Sequence, residues 1–170
     1  MSDLDVLDRL DRLAASRVAY AQLRPGVEAG APWPLAEHFG IEAEASWGPR
    51  EVLAHLGEML VFWLGEYERI VEGGRGPGDG VPFGRNSGDA VRVAILERDR
   101  TVPLRELFAR VDAGIARWQA RLGNAAPGDG SAVGLHPRLG ELTADEVVDR
   151  MILVHLEDHQ AQLDAILAAR

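Results

Sequence analysis

The sequence predicts an all-α protein: a four-helix bundle with long connections between its first and second helices and between its second and third. Three observations carry this expectation. Four long stretches repeat apolar residues at helical spacing. No segment shows the sustained period-2 alternation of a half-buried strand, and no internal repeat or low-complexity tract interrupts the pattern. Segments rich in Gly and Pro separate the four stretches. Helices of this kind bury their apolar stripes against one another as a bundle. At 170 residues the chain reads as a single domain, 1–170, long enough to bury a core.

The first helix covers residues 2–24, where Leu4, Leu7, Leu10, Leu13, Val18 and Leu23 supply the apolar face and Pro25-Gly26 ends it. From there to residue 46, Gly26, Gly30, Pro32, Pro34 and Gly40 favour a loop, pinned to the body by Trp33 and Phe39. The second helix opens at Trp47-Gly48-Pro49-Arg50-Glu51, with Pro at the first helical position and an acid in the first turn. It buries Val52, Leu56, Met59, Phe62, Trp63 and Ile70 before Gly73-Gly74. Residues 74–88 form a Gly/Pro-rich loop and residues 89–98 a short helix. The third long helix, 103–122, buries Leu104, Leu107, Val111, Ile115, Trp118 and Leu122. Residues 123–134 are a flexible connection, and His136-Pro137-Arg138-Leu139-Gly140 leads into the last helix. That helix opens with a capping box, Thr143 and Glu146, and runs to the C-terminus without Pro or Gly. At roughly 100° per residue, Val148, Met151, Ile152, Leu163 and Ile166 share one stripe, with His155 and His159 in its middle.

Composition narrows the chemistry. With no cysteine, disulfides, thiolate metal sites and a cysteine nucleophile are excluded. A net charge of −9 argues against non-specific nucleic-acid binding. All 18 basic residues are Arg, which rules out a Schiff-base or P-loop lysine and, with abundant Ala and Gly, points to a GC-rich genome. No apolar run approaches the roughly 20 residues of a membrane span. The acidic start, Met1-Ser2-Asp3-Leu4-Asp5, is unlike a signal peptide, so the chain reads as cytoplasmic.

Three of the five histidines fall on predicted core faces: His55 on the second helix, His155 and His159 one turn apart on the last. A lone core histidine is ordinarily a hydrogen-bonded structural residue; three facing inward point to a divalent metal. Three imidazoles leave at least one metal position for water or substrate, the open arrangement of catalytic sites. Glu58, one turn beyond His55, is weighed as a general base or fourth ligand against an exposed face residue. Asp158 is weighed as a partner orienting an imidazole against a solvated rim charge. Gln162 faces inward, to bond within the core or touch a ligand. His38 and His136 sit in loops, where a surface role is the default. Arg50 and Arg138 could bind an anion, although surface arginine is the commoner role, and Trp47, Trp63 and Trp118 read as packing residues.

Trp47-Gly48-Pro49-Arg50-Glu51-Val52-Leu53-Ala54-His55-Leu56, Leu139-Gly140-Glu141-Leu142-Thr143 and His155-Leu156-Glu157-Asp158-His159-Gln160-Ala161-Gln162-Leu163 together resemble the DinB-like (YfiT-like) superfamily of four-helix bundles. The resemblance covers nearly the whole chain in element order. It implies a metal held by His55, His155 and His159, with zinc or nickel favoured and iron or manganese also found in relatives. Characterised branches use low-molecular-weight thiols, as bacillithiol S-transferases and mycothiol-dependent maleylpyruvate isomerases. The isomerases carry a Glu where this chain has His155, so isomerase activity is not carried over. Relatives often pair through bundle faces, which makes a homodimer the implied assembly.

The resulting expectation is a metal-dependent thiol S-transferase acting on a small electrophile, with mycothiol favoured as the thiol. The alternatives are metal-assisted hydrolysis, with Glu58 or Asp158 taking a proton from water, a non-catalytic metal-binding or dimerisation bundle, and a bundle whose histidines only fill the core.

Overall fold

The computed structural model describes residues 3–37, 43–74 and 76–170. It is an all-α bundle with a small sheet at one end. The long helices are α1 (Asp3–Ala29), α2 (Pro49–Gly73), α4 (Leu104–Gly123) and a last rod; α3 (Ala90–Asp99) is the short helix between α2 and α4. The rod comprises α5 (Ala144–Val147), a π-helical stretch (Val148–Leu153) and α6 (Val154–Ala168). α2 lies against α4, and α1 bridges α4 and α6. Among the described residues no helix is long and apolar enough to cross a membrane.

The spacing selects the buried face of α4 in full, whereas on α1 Leu7 and Val18 are exposed while Tyr20 and Val27 are buried, and on α2 Phe62 and Trp63 are only partly buried. The buried residues of α4 are Leu104, Leu107, Phe108, Val111, Gly114, Ile115, Trp118 and Leu122. The Trp118 indole donates from Nε1 to the Leu60 carbonyl of α2 at 3.0 Å, so its polar edge is satisfied inside the core. At the start of α2, buried Glu51 accepts from the amides of Gly48 at 3.0 Å and Ala36 at 2.6 Å. One carboxylate thereby closes the helix terminus and ties down the preceding connection. Thr143 and Glu146 form the expected capping box.

Three features depart from expectation. α1 does not end at Pro25-Gly26 but continues to Ala29. Proline inside a helix costs about 3 kcal/mol; here packing of the last turn opposes that cost. Val27 is fully buried, its carbonyl receives Trp33 Nε1 at 2.8 Å, and Gly26 lies so close to Leu167 that a Cβ would stand 3.1 Å from that side chain. Trp33 thus pins the connection after α1, as expected, while Phe39 lies outside the described residues.

A three-stranded sheet was not expected. β2 (Val133–His136) pairs in parallel with β1 (Val81–Pro82) and antiparallel with β3 (Gly140–Thr143), so that His136 stands opposite Gly140. Strands of two and four residues are too short to display alternation. The hairpin turns through Gly140 at φ +77°, a conformation that favours glycine. The connection expected to be flexible over 123–134 therefore holds a 3-10 turn, Asp129–Ser131, and the start of β2.

The third departure lies in the last rod. In the π-helical stretch the Val154 amide reaches back five residues to the Asp149 carbonyl. The wider turn rotates everything after it relative to a regular α-helix. Leu156, His159 and Leu163 then occupy the buried face, and His155 moves from the middle of the stripe to its flank with 31% of its side chain exposed.

The closest approach of α2 and α4 sets a sharp test. A Cβ on Gly114 would lie 2.8 Å from Leu60 Cδ1 and 2.9 Å from Leu60 Cβ. Alanine improves helix propensity over glycine by up to about 1 kcal/mol, but overpacking typically costs about 1–3 kcal/mol. Gly114→Ala is expected to lower the urea midpoint; an unchanged or raised midpoint contradicts the tight α2–α4 contact.

Candidate metal centre

His55 comes from the second turn of α2, and His155 and His159 from successive turns of α6. The three rings form a nearly regular triangle, with centroids 5.4 Å apart for His55–His155, 5.2 Å for His55–His159 and 5.4 Å for His155–His159. A carboxylate completes the group. Glu44, on a 3-10 turn (Glu44–Ser46) ahead of α2, puts its oxygens 3.9, 3.5 and 3.7 Å from the Nε2 atoms of His55, His155 and His159. One donor atom from each of the four lies within 4.8 Å of every other.

The fit to a cation rests on the polar atoms left over. His55 Nε2 and His159 Nε2 are buried and have no hydrogen-bond partner among the described residues. Leaving a buried polar group unpaired costs about 1–3 kcal/mol, so two of them turned toward one carboxylate mark a place for something the protein itself does not supply. Burial pushes both imidazoles below their ordinary pKa, His55 well below, and so keeps their lone pairs free at neutral pH. Burial acts to raise the Glu44 carboxyl, but the contact with His155 and the neighbouring His55 and His159 outweigh it and bring it down to about 2. Neutral imidazoles around an ionised carboxylate form a donor set for a divalent first-row metal.

Gln162 fixes this arrangement. Its Nε2 donates to the carbonyls of Glu44 at 2.8 Å and Trp47 at 3.1 Å, which leaves its Oε1 facing His159 Nδ1 at 2.9 Å. The amide orientation settles the tautomer: Nδ1 must carry the proton, and Nε2 presents its lone pair to the cluster. On the inner side, buried Trp47 stands 5.2 Å from the His55 ring and stacks over His159 at 6.4 Å. Arg92 Nη2 pairs with Glu44 Oε1 at 3.1 Å; its 3.5 Å approach to His55 Nδ1 is too long to dictate that tautomer.

The outer side opens. A cavity of about 140 Å3 is bordered by Glu44, His55, His155, Arg92, His136 and Arg138, among others. A larger cavity, about 630 Å3, is instead an apolar groove beside Val61, Phe62, Val91 and Ile95, and Arg85 borders both.

The remaining expectations distribute as follows. Glu58 is not on an exposed face: its side chain is largely covered and held by Arg85, and it stands outside the four-residue cluster. Asp158 is exposed and also outside it; Gln162, not Asp158, holds the His159 imidazole. Arg50 donates to the Val102 carbonyl at 3.0 Å. His136 is buried at the end of β2 rather than at the surface, Trp63 stacks beside it, and His38 lies outside the described residues. Glu44 had been read as part of a loop; its one sequence signal is an acid just ahead of the histidine-bearing helix.

Gln162→Ala tests the support around His159. Removing a partner that orients a ligating histidine typically lowers metal affinity about 10–100-fold. Competition titration with a chromogenic chelator is expected to show a loss of that size with the helical content retained; wild-type affinity contradicts the role given to Gln162.

Compared with curated proteins, the chain has no match. The family description of the DinB superfamily matches residues 6–163, nearly the whole of the bundle described above and all four members of the cluster. The chain belongs to the DinB superfamily.

Proposed function

We propose that this protein is a metal-dependent enzyme that transfers a low-molecular-weight thiol to a small electrophile. The observation supporting it most directly is the pair of orphaned imidazole nitrogens, on His55 and His159, beside Glu44 and a half-open His155 at the edge of a cavity. His55, His155 and His159 would hold a divalent ion, with Glu44 as a further donor; imidazole suits zinc and nickel, and the added carboxylate accommodates iron or manganese. Such an ion, when bound, supplies the Lewis acidity that keeps a thiol deprotonated near neutral pH, and the thiolate is the reactive form.

The chain's own residues account for the other requirements. Gln162 holds the His159 tautomer, Trp47 shields the inner side from water, and the exposed flank of His155 leaves the outer side to reactants. In the transfer, sulfur bonds to the electrophilic carbon as that carbon releases its leaving group with the bonding pair, and the thiol proton passes to solvent. The GC-rich signature of the composition favours mycothiol over bacillithiol. The hydrolytic alternative has less support, because Arg85 already engages Glu58 and Asp158 faces solvent.

Elemental analysis of tag-free protein, alongside His55→Ala and the His155→Ala/His159→Ala pair, tests the site and the activity in sequence. About one metal per chain, lost in both variants, is the expected outcome for a site assembled only in the fold. Conjugation of mycothiol to chlorodinitrobenzene, releasing chloride, is then expected in the wild type and absent from both. Conjugation at wild-type rate in metal-free variants retires the assignment.

A further inference from the structure

The cavity beside the cluster has a polar wall that the thiol-transfer reading does not use. The protein as a whole carries a net charge of −9, yet three arginines border this small cavity, Arg85, Arg92 and Arg138, against one acid, Glu44. Two of the guanidiniums are already neutralised, Arg85 by Glu58 and Arg92 by Glu44. Arg138 has no ion-pair partner among the described residues, and so leaves the wall cationic.

His136 adds a directed donor. It is 6% exposed, stacked beside Trp63 at 6.3 Å and edge-on to Phe83 at 5.4 Å. A side chain on Gly84 would overlap its ring, with a Cβ only 2.4 Å from Cδ2, so the imidazole is confined by packing on several sides. Its Nδ1 accepts from two backbone amides of the hairpin turn, Arg138 and Leu139, both at 3.2 Å. A nitrogen that accepts two N–H groups cannot itself carry a proton, so the neutral ring bears its proton on Nε2. Burial, reinforced by Arg138, pushes the imidazole below its ordinary pKa and favours this neutral form. Nε2–H has no protein acceptor among the described residues; Gly84 packs against this edge of the ring, where a Cβ would stand 2.8 Å from Nε2, and His136 borders the cavity.

A cationic wall with a fixed hydrogen-bond donor matches an acceptor that is anionic and small. We propose that this cavity binds a carboxylate group, with Arg138 supplying the charge and His136 Nε2–H orienting one oxygen. At about 140 Å3 it takes a small acid or the acidic end of a larger molecule. The inference deepens the functional reading above by giving the electrophile a carboxylate, and it rests on that reading only in calling the bound acid a substrate.

Succinate is the probe, and its uncharged diamide, succinamide, is the control. Both are titrated calorimetrically into the zinc-loaded full chain, and the imidazole nitrogens are followed by NMR of protein labelled with 15N at histidine. Arg138→Gln removes the free charge. His136→Asn keeps an oxygen acceptor for the two turn amides while deleting the Nε2–H, so the hairpin retains its cap. Succinate is expected to bind, to shift the His136 resonances, and to bind at least about tenfold more tightly than the diamide, as expected for a charge-assisted hydrogen bond. Each variant is expected to weaken succinate about tenfold on the same grounds. No succinate binding, equal binding of the diamide, or wild-type affinity in either variant overturns the proposal. Succinate binding of the expected pattern without any thiol conjugation supports the carboxylate site and retires the thiol-transfer reading.

Discussion

The side-chain amide of Gln162 is the interaction on which the candidate centre depends. α6 carries two of its histidines, whereas Glu44 comes from a 3-10 turn more than a hundred residues away in the chain. Gln162 joins the two through its bonds to the Glu44 and Trp47 carbonyls, and the same amide fixes the His159 ring. Each such bond contributes about 0.5–1.5 kcal/mol net, a modest sum for stability. Their consequence is geometric: because all three meet at one planar group, the backbone at Glu44, the backbone at Trp47 and the His159 imidazole are held in one register. One amide thereby ties α6 to the turn that carries Glu44 and to the segment leading into α2.

Electrostatics explains why the unit could hold a cation on one side and why the proposed anion site lies on the other. Burial favours the neutral form of His55 and His159, and Glu44 brings a negative charge to the cluster. Arg92 satisfies one oxygen of that carboxylate from outside. The imidazole nitrogens on the opposite side remain without partners, and they are acceptors by tautomer at His159. A divalent ion would satisfy both nitrogens and carboxylate at once. The arginines of the neighbouring cavity then stand close to a site whose charge becomes more positive on loading, and any acid bound there profits from both fields.

How much of this was legible depended on whether it was local. The helix starts at Pro49 and Thr143, the stripe of α4 and the inward placing of His55 and His159 follow from periodicity and caps that a few adjacent residues determine. Glu44 could not be read in this way, since it reaches the site through Gln162, far away in sequence. The sheet escaped because its strands are too short for a pattern, and with it the burial of His136, whose ring is held by the amides of the very turn that looked like a loop. The continuation of α1 past Pro25 was hidden for a related reason: local propensity ends the helix there, and tertiary contacts from Trp33 and Leu167 extend it.

The π-helical stretch is the least legible element and the one that decides between a closed and an open centre. Four protein donors, His55, His155, His159 and Glu44, are the count of a structural metal site, which is shut to reactants. With regular α-helical rotation through 148–153, His155 and His159 would both point into the core, and the donors would close around their ion among apolar side chains. Rotation by the wide turn instead puts Leu156 in the core and His155 at its edge, with nearly a third of its side chain open to the cavity. Glu44 lies on the same side, on a turn with no buried residues, and Arg92 is at hand to hold its carboxylate. The two least enclosed donors, His155 and Glu44, border the cavity together with His55, while His159 stays buried beneath Trp47. A centre enclosed on its inner half and accessible on its outer half suits exchange of an outer ligand, as the proposed catalytic role requires and a purely structural one does not.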